Sequence, residues 1–226
     1  MLKLISSMAT RQVLAELAAG WQKTSGIEVV IESVGGVDAA KRVQAGEAFD
    51  GVVLASDAID KLMAGGHAVA GSRTDLVLSS VAIAVRAGAP APDISSEAAL
   101  RSAIEAAPTI GYSTGPSGTA LVKQFERWGI LEAIRPRIVQ APPGVPVGKL
   151  VAQGEVALGF QQFSELMHLD GITVIGSMPA AVAIDTIFSA ATCTVSTQGE
   201  ALGRLFAFMA SPDAAAIKTK HGMAAA

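Results

Sequence analysis

A short apolar strand, a turn of small polar or glycine residues, and then a helix recur along this chain of 226 residues. The pattern is found at residues 5–10, 33–38, 112–119 and 160–164. Strands that alternate with helices in this way favour a mostly parallel sheet with helices on both faces. Each turn also begins a helix, and a helix N-terminus offers unpaired backbone N–H groups and the positive end of a dipole. Several such termini at one sheet edge predict a site for an anion or a carboxylate.

The composition excludes several classes of protein. Half of the residues are hydrophobic and only 4% are aromatic, so we expect a core of Ala, Val, Leu and Ile. The net charge is −3, without a block of like charges, which argues against a nucleic-acid partner. No run of about 18 apolar residues occurs, so no membrane insertion is expected. The single cysteine, Cys193, lies in an apolar run and is interpreted as a core residue.

No sequence motif indicates a cofactor or a metal. The three histidines, His67, His168 and His221, are dispersed and lack the spacing of metal ligands. The glycine-rich turn at residues 115–119 lacks the lysine of a phosphate-binding loop. There is no Gly-x-Ser-x-Gly nucleophile motif and no dinucleotide fingerprint. We therefore expect neither a cofactor nor a metal site.

Two long apolar runs indicate how the chain is divided. Residues 76–86 and 183–195 are longer than an ordinary strand, and we interpret them as segments that leave one lobe and later return to it. This predicts lobe 1 from residues 1–80 and 186–226, and lobe 2 from residues 81–185, with a ligand cleft between them. Ligands of such sheets bind at the carboxyl ends of strands, where all four turns are expected to lie.

The periodicity of apolar residues and the turn signals predict the individual elements. In lobe 1 we predict strands at 2–5, 27–31 and 51–54, and helices at 10–23, at 38–45 and from a cap at Ser56 or Asp57 to Met63. In lobe 2 we predict helices at 95–107, 117–128, 147–153 and from Ser164, and strands at 109–112, 137–140, 157–161 and 172–175. Helices at 199–209 and 212–221 are expected to pack on lobe 1.

The order and spacing of several segments resemble the periplasmic molybdate-binding proteins and, more widely, the type 2 periplasmic solute-binding fold. The resemblance is carried by residues 40–50 (AKRVQAGEAFD), 52–57 (VVLASD), 115–119 (GPSGT) and 150–155 (LVAQGE) followed by Gly159. It covers nearly the whole chain. It implies an α/β fold of two lobes, each with a mostly parallel sheet and helices on both faces, joined by two crossover segments.

The resemblance also implies where an oxyanion would bind, because that family holds it with two serines, backbone N–H groups and a tyrosine. The first serine corresponds to Ser7, or to Ser6 if the register slips by one residue. The second serine falls on Gly35 or Gly36, so its hydroxyl is missing. Glycine makes room and frees the backbone at this point.

Lobe 2 contains the other positions that the resemblance implies. The backbone donors correspond to Ser117 and to the loop near Gly144, and the tyrosine falls on Gln162. A glutamine can both donate and accept hydrogen bonds. Together with the glycines of lobe 1, this change suggests a larger organic anion, such as a di- or tricarboxylate, rather than molybdate.

Further candidates for ligand contacts have structural alternatives. Gly118 and Thr119 share the turn of Ser117, but they also suit a helix start. Arg73 precedes the first long run and could bind a carboxylate with two hydrogen bonds, or it could be a solvated charge. Ser80 lies within that run, where its hydroxyl needs a partner from the backbone or from a ligand.

Binding of a small anion is the leading interpretation, with closure of the lobes around it and an ABC-type permease as partner if the protein is exported. Molybdate or tungstate binding and a cytoplasmic ligand sensor are further alternatives. The chain also resembles bacterial aconitate isomerase, which implies proton transfer along an allylic system and a base of tuned pKa. Glu165 and Tyr112 are the candidate catalytic residues. Glu165 could instead complement a helix dipole, and Tyr112 could be a core ring.

The sequence leaves the location of the protein open. Residues 1–5 are too short for the apolar part of a secretory signal and lead directly into the first turn. The protein is thus expected to be cytoplasmic as the chain stands, or periplasmic if a signal peptide has been removed.

Overall fold

The computed structural model describes all 226 residues, which form two compact units. Unit 1 consists of Met1–Ser79 and Thr186–Ala226, and unit 2 of Ser80–Asp185. The chain passes between the units twice, once in strand β4 (Thr74–Arg86) and once at the start of strand β9 (Asp185–Thr192). Each of the two long apolar runs of the sequence is thus a single continuous strand for most of its length.

Unit 1 is built on a sheet whose first three strands are parallel. In addition to its parts of β4 and β9, unit 1 contains the strands β1 (Leu2–Ser7), β2 (Val29–Val34), β3 (Gly51–Ala55) and β10 (Ala224–Ala225). Its helices are α1 (Arg11–Ser25), α2 (Gly36–Gln44), α3 (Ser56–Ala64), α9 (Gly199–Ala210) and α10 (Ala215–Lys220). Short 3-10 helices span Met8–Thr10 and Pro212–Ala214. Strand β1 pairs with β2 and β3 in parallel, whereas β3 pairs antiparallel with β9, and β10 antiparallel with β4.

Helices cover both faces of this sheet because successive side chains of its strands point to opposite faces and are apolar on both. Leu4 of β1 packs with residues of α1 and α9, and the adjacent Ile5 packs with residues of α2 and α3. Cys193 belongs to the second cluster and is 1% exposed, which confirms its interpretation as a core residue. Burial raises the pKa of its thiol to about 12.

Unit 2 repeats this arrangement with a second sheet. In addition to its part of β4, unit 2 contains the strands β5 (Ile110–Tyr112), β6 (Ile138–Gln140), β7 (Leu158–Gln162) and β8 (Ile172–Ser177). Its helices are α4 (Glu97–Ala106), α5 (Pro116–Arg127), α6 (Leu131–Ile134), α7 (Val147–Gln153) and α8 (Phe163–Leu166). Short 3-10 helices span Arg135–Arg137 and Ala180–Val182. Strand β5 pairs in parallel with β6 and β7, while β7 and β8 pair antiparallel with β4. The main apolar cluster joins α4, α5 and α6 to this sheet.

Most predicted elements form with small changes at their ends. Strand β2 starts later than predicted, at Val29, because Gly26 ends α1 with a φ of 70° and the chain must then reverse. The predicted cap of α3 at Ser56 or Asp57 is wrong. Strand β3 runs directly into this helix, so that Ala55 occupies the N-cap position and no side chain caps it. The four-residue α6 and the two-residue β10 were not predicted. They are too short to show a period.

None of the helices is both long enough and apolar enough to cross a membrane.

Candidate functional site

The carboxyl ends of the parallel strands of unit 1 lie at one edge of its sheet, and a helix begins after each of them. Ser7 ends β1, Val34 ends β2 and Ala55 ends β3, and the strand register places these ends beside one another. The N-cap positions are Ser7 for the first 3-10 helix, Gly35 for α2 and Ala55 for α3, and none of the three makes a side-chain cap. The N-terminal N–H groups of these helices therefore have no capping side chain as acceptor, which suits an anion.

Ser7 has the clearest unused hydrogen-bonding capacity at this edge. Its side chain is 6% exposed, and its Oγ has no hydrogen-bond partner. Instead of a cap from Ser7, Thr10 Oγ1 donates to the Ser7 carbonyl oxygen at 3.1 Å. Gly36 lies beside it, since a Cβ atom on Gly36 would lie 3.7 Å from Ser7 Cβ. The structure thus brings together two of the residues predicted to bind a ligand.

Ser6 and Gly35 have partners within the protein. Ser6 is fully buried, and its Oγ lies 2.8 Å from the Oγ of Ser33 on the paired strand β2. This bond links the two strands, so of the two serines only Ser7 keeps an unpartnered hydroxyl. A Cβ atom on Gly35 would lie 3.3 Å from Asp38 Oδ2, so this glycine makes room for the Asp38 carboxylate.

Arg73 does not offer a free pair of donors to a ligand. Its Nη1 donates to both carboxylate oxygens of Asp60 at 3.0 Å, and its Nε and Nη2 donate to Asp75 at 2.8 and 3.2 Å. Asp75 also accepts from Ser189 Oγ at 2.6 Å. The hydrogen bonds from Arg73 and Ser189 hold the pKa of Asp75 below its usual value. Arg73 therefore joins β4 to α3, in place of the predicted contact with a ligand.

Ser80 also has a hydrogen-bond partner within the protein. This partner is a carboxylate, whereas the sequence suggested either the backbone or a ligand. Its Oγ donates to Asp185 Oδ1 at 2.6 Å. Both residues belong to unit 2 and lie where the chain enters and leaves that unit. This bond fixes the two crossing segments together within unit 2.

Unit 2 presents a second edge of the same kind. Tyr112 ends β5, Gln140 ends β6 and Gln162 ends β7, and these three strands are parallel. Helices α5, α7 and α8 begin close behind them, and none has a side-chain cap at its N-cap residue. Ser117, the second residue of α5, is 7% exposed, and Gln162 is 4% exposed. The predicted positions Ser117 and Gln162 are therefore brought to one edge of the sheet of unit 2.

The other predicted positions in unit 2 have structural reasons of their own. A Cβ atom on Gly118 would lie 1.9 Å from the carbonyl oxygen of Ser113, so only glycine fits there. Thr119 Oγ1 donates to the Gly115 carbonyl oxygen at 3.4 Å within α5. Gly144 is exposed and has a φ of 77°, as the third residue of a turn closed by the bond from Val145 N–H to the Pro142 carbonyl at 3.0 Å. These contacts explain the three residues without a ligand.

A cavity of about 290 Å³ lies beside Tyr112, the half-buried tyrosine at the end of β5. It is bordered by α5 and by the end of β6, and its lining residues are Tyr112, Gly118, Thr119, Val122, Lys123, Glu126 and Gln140. The lining combines one cation, one anion and several neutral hydrogen-bonding groups. The cavity can therefore accept a polar group next to the Tyr112 ring.

Gln161 is a buried polar residue that the sequence analysis missed. It is 3% exposed, and its Oε1 accepts from the backbone N–H groups of Val147 and Gly148 at 2.8 and 3.4 Å. Gln161 also lowers the pKa of the Glu165 carboxyl, against the larger effect of burial. The only sequence signal was a pair of adjacent glutamines at the end of an apolar strand, where both faces are covered and each amide needs partners.

Glu165 lies in the first turn of α8 and is partly buried. Burial raises the pKa of this carboxyl to about 7 from a usual value of 4.5, and Gln161 opposes the rise. The shift comes from burial rather than from a neighbouring charge. A carboxyl group with a pKa near neutrality can both accept and return a proton at physiological pH. No group of three or more His, Cys, Asp or Glu side chains is placed to hold a metal ion.

Comparisons with known proteins agree with this architecture. A family model described as bacterial extracellular solute-binding protein matches residues 2–224. The aconitate isomerase of a Pseudomonas species is 36% identical over 220 residues, which cover 95% of this chain and 84% of that protein.

Among solved structures, the periplasmic molybdate-binding protein of Azotobacter vinelandii has a TM-score of 0.80 at 22% identity, covering 99% of this chain and 98% of that chain. A periplasmic thiamin-binding protein has a TM-score of 0.79 at 14% identity, covering 100% of this chain and 83% of that chain. These two likenesses show the type 2 periplasmic solute-binding fold, as the sequence predicted. The match over nearly the whole chain shows more, namely that this protein belongs to the family of bacterial extracellular solute-binding proteins.

Proposed function

We propose that this protein binds a small organic di- or tricarboxylate and isomerises it by allylic proton transfer, as an aconitate-type isomerase. The observation that carries the proposal is Glu165, a carboxyl whose pKa is raised to about 7 by burial at the sheet edge where the helices of unit 2 begin. A carboxyl with a pKa near neutrality is suited to act as a general base at physiological pH. The proposal is supported by the 36% identity to an aconitate isomerase over most of both chains.

The candidate donors to ligand carboxylates are neutral groups. In unit 1 they are the Oγ of Ser7 and the N–H of Gly36 at the start of α2, and in unit 2 they are Ser117 at the start of α5 and the amide of Gln162. Helix N-termini bind anions without a cationic side chain. Arg73, Ser6 and Ser80 are left out of the proposed site because their polar atoms already have protein partners.

The proposed reaction needs one base and no redox partner. The carboxylate of Glu165 takes a proton from the CH₂ group next to the carbon–carbon double bond of the substrate. The C–H electron pair spreads over the three allylic carbons and the attached carboxyl groups, and the N–H donors at the helix ends stabilise this negative charge. Glu165 then returns a proton to the far allylic carbon, so that the double bond moves by one position. The hydroxyl of Tyr112 is proposed to hold a substrate carboxylate during the transfer.

The second candidate function is binding alone, as a solute-binding protein that delivers a carboxylate to an ABC-type permease. It is supported by the family match and by solved neighbours that are named for binding molybdate and thiamin. In this function Glu165 would be protonated and would donate a hydrogen bond to a ligand carboxylate.

Proton NMR of cis- and trans-aconitate in D₂O with the purified protein tests both candidates in one tube. Interconversion of the isomers, or deuterium uptake at the allylic carbons, is the result expected for the isomerase. Line broadening without either change would leave only the binding function. The absence of all three effects would contradict the carboxylate proposal, and molybdate and tungstate would then be titrated.

A further inference from the structure

One side of helix α5 forms most of the wall of the cavity beside Tyr112. The lining residues on this helix are spaced so that they lie on one side of it, and they are Gly118, Thr119, Val122, Lys123 and Glu126. Tyr112 and Gln140, which complete the lining, are register partners on the parallel strands β5 and β6. Their side chains therefore lie next to each other on the same face of the sheet. All of these residues belong to unit 2.

Two opposite charges line the cavity without neutralising each other. Lys123 and Glu126 are exposed and lie three positions apart on α5, but no ion pair or hydrogen bond joins them. At a similar spacing on α4, Arg101 and Glu105 do form an ion pair, with 3.1 Å between Nε and Oε1. The Lys123 ammonium group has no hydrogen bond or ion pair with any other residue either. Its three donors are thus open to a ligand.

Glu126 has an electrostatic neighbour in Arg135, but that cation is already paired. Arg135 Nε donates to Glu132 Oε2 at 3.1 Å. Hydrogen bonding to Glu132 is the main reason that the pKa of Arg135 is raised, and the charge of Glu126 adds to the rise. The Glu126 carboxylate forms no ion pair of its own. The cavity therefore offers one cation and one anion that both lack a direct partner.

We propose that this cavity is a second binding site, for a small zwitterion of the amino-acid class with an apolar side chain. The carboxylate of the ligand binds Lys123 and its ammonium group binds Glu126, while Val122 and the Tyr112 ring contact its apolar part. A ligand with both charges is favoured, because Glu126 repels a lone anion and Lys123 repels a lone cation. The cavity volume of about 290 Å³ is small for a ligand site and suits a molecule of this size. The inference does not rest on the proposed isomerase function.

Tyr112 is the only tyrosine of the chain and therefore a specific probe of the cavity. Protein labelled with ring-¹³C tyrosine has one set of tyrosine ring signals, and L-leucine is titrated against it up to about 20 mM, which covers millimolar Kd values. The matched analogues are 4-methylpentanoate, which lacks the ammonium group, and 3-methylbutylamine, which lacks the carboxylate. L-Leucine should shift the signals until they saturate, and each analogue should bind at least about three-fold more weakly.

Substitutions of the two charged residues test which groups bind the ligand. Lys123→Met and Glu126→Gln each remove one charge with little change in size, and each should raise the Kd of L-leucine by about three- to five-fold, as expected for exposed ion pairs. Lys149→Met and Glu155→Gln are the matched controls, at exposed positions of unit 2 outside the cavity, and should leave this Kd unchanged.

Three results would overturn the inference. The first is the absence of any shift of the Tyr112 signals with L-leucine. The second is an unchanged Kd in either Lys123→Met or Glu126→Gln. The third is equal affinity for L-leucine and 4-methylpentanoate, which would attribute the shift to the carboxylate contact that the proposed function gives to the Tyr112 hydroxyl. A protein that binds L-leucine as expected but does not isomerise aconitate would support this site and refute only the proposed reaction.

Discussion

Replacing Ser7 by alanine should raise the stability of the ligand-free protein and weaken its binding of a ligand. The Ser7 hydroxyl is buried and has no hydrogen-bond partner. Leaving such a group without a partner costs about 1–3 kcal/mol, and alanine removes the group without changing the backbone. We therefore expect the free energy of unfolding to rise by about 1 kcal/mol, which raises Tm by about 2–4 °C in a chain of this length.

The effect on binding should have the opposite sign. A hydrogen bond to a charged carboxylate contributes about 1.5–3 kcal/mol, so Ser7→Ala should raise the Kd of a carboxylate ligand by about 10- to 150-fold. The side chain lies against Gly36, where the first N–H groups of α2 are also proposed to bind the ligand. Loss of one of several donors should therefore weaken the binding without abolishing it.

Ser33→Ala is the matched control, because Ser33 Oγ already has the Ser6 Oγ as partner at 2.8 Å. This variant loses a hydrogen bond and should be less stable by about 1 kcal/mol, with little change in Kd. Thermal unfolding measured without ligand and calorimetric titration with aconitate give the two quantities for each variant. If Ser7→Ala lowers Tm and leaves Kd unchanged, the hydroxyl has a structural role and the reasoning is refuted.

Three further substitutions test other parts of the account. Gly118→Ala should lower stability by about 1–3 kcal/mol, because its Cβ would meet the Ser113 carbonyl oxygen at 1.9 Å; an unchanged Tm would contradict this packing. Arg73→Ala should lower stability by about 1 kcal/mol or less and change the ligand Kd by less than about two-fold. A Kd raised by about ten-fold or more would instead indicate that Arg73 contacts the ligand. Glu165 binds its proton more readily in the folded protein than in the unfolded chain, so wild-type stability should fall as the pH rises from 4.5 to about 7. At about pH 8, Glu165→Gln should be the more stable protein, by up to about 3 kcal/mol, and equal urea midpoints across this range would refute the burial of the carboxyl.

Most of the helices and strands could be predicted because they depend on local patterns. Two long apolar runs of the sequence contain the strands β4 and β9. Glycines such as Gly26 and Gly154, with φ values of 70° and 82°, end helices that the apolar period had already indicated. A local signal of this kind requires no knowledge of the partner strand.

The roles of single polar residues could not be predicted, because these depend on residues far away in the sequence. Ser6 and Ser7 are both buried and adjacent, and only the pairing of β1 with β2 shows that Ser6 bonds to Ser33. Gln161 likewise depends on the start of α7, fourteen positions earlier at Val147. The ion pairs of Arg73 need α3 to be packed beside β4. In each case the polar residue could be recognised in the sequence, but its role depends on a partner that only the folded structure identifies.

The central claim is that Glu165 moves a proton on a bound tricarboxylate. Proton NMR of trans-aconitate in D₂O, recorded side by side with the wild-type protein and with Glu165→Gln, tests it most directly. The account predicts that the wild-type protein interconverts the isomers, that the variant does so about 10²- to 10⁴-fold more slowly, and that the substrate lines broaden with both proteins because binding is retained. Equal rates for the two proteins, or broadening by the wild type with neither interconversion nor deuterium uptake, would contradict it.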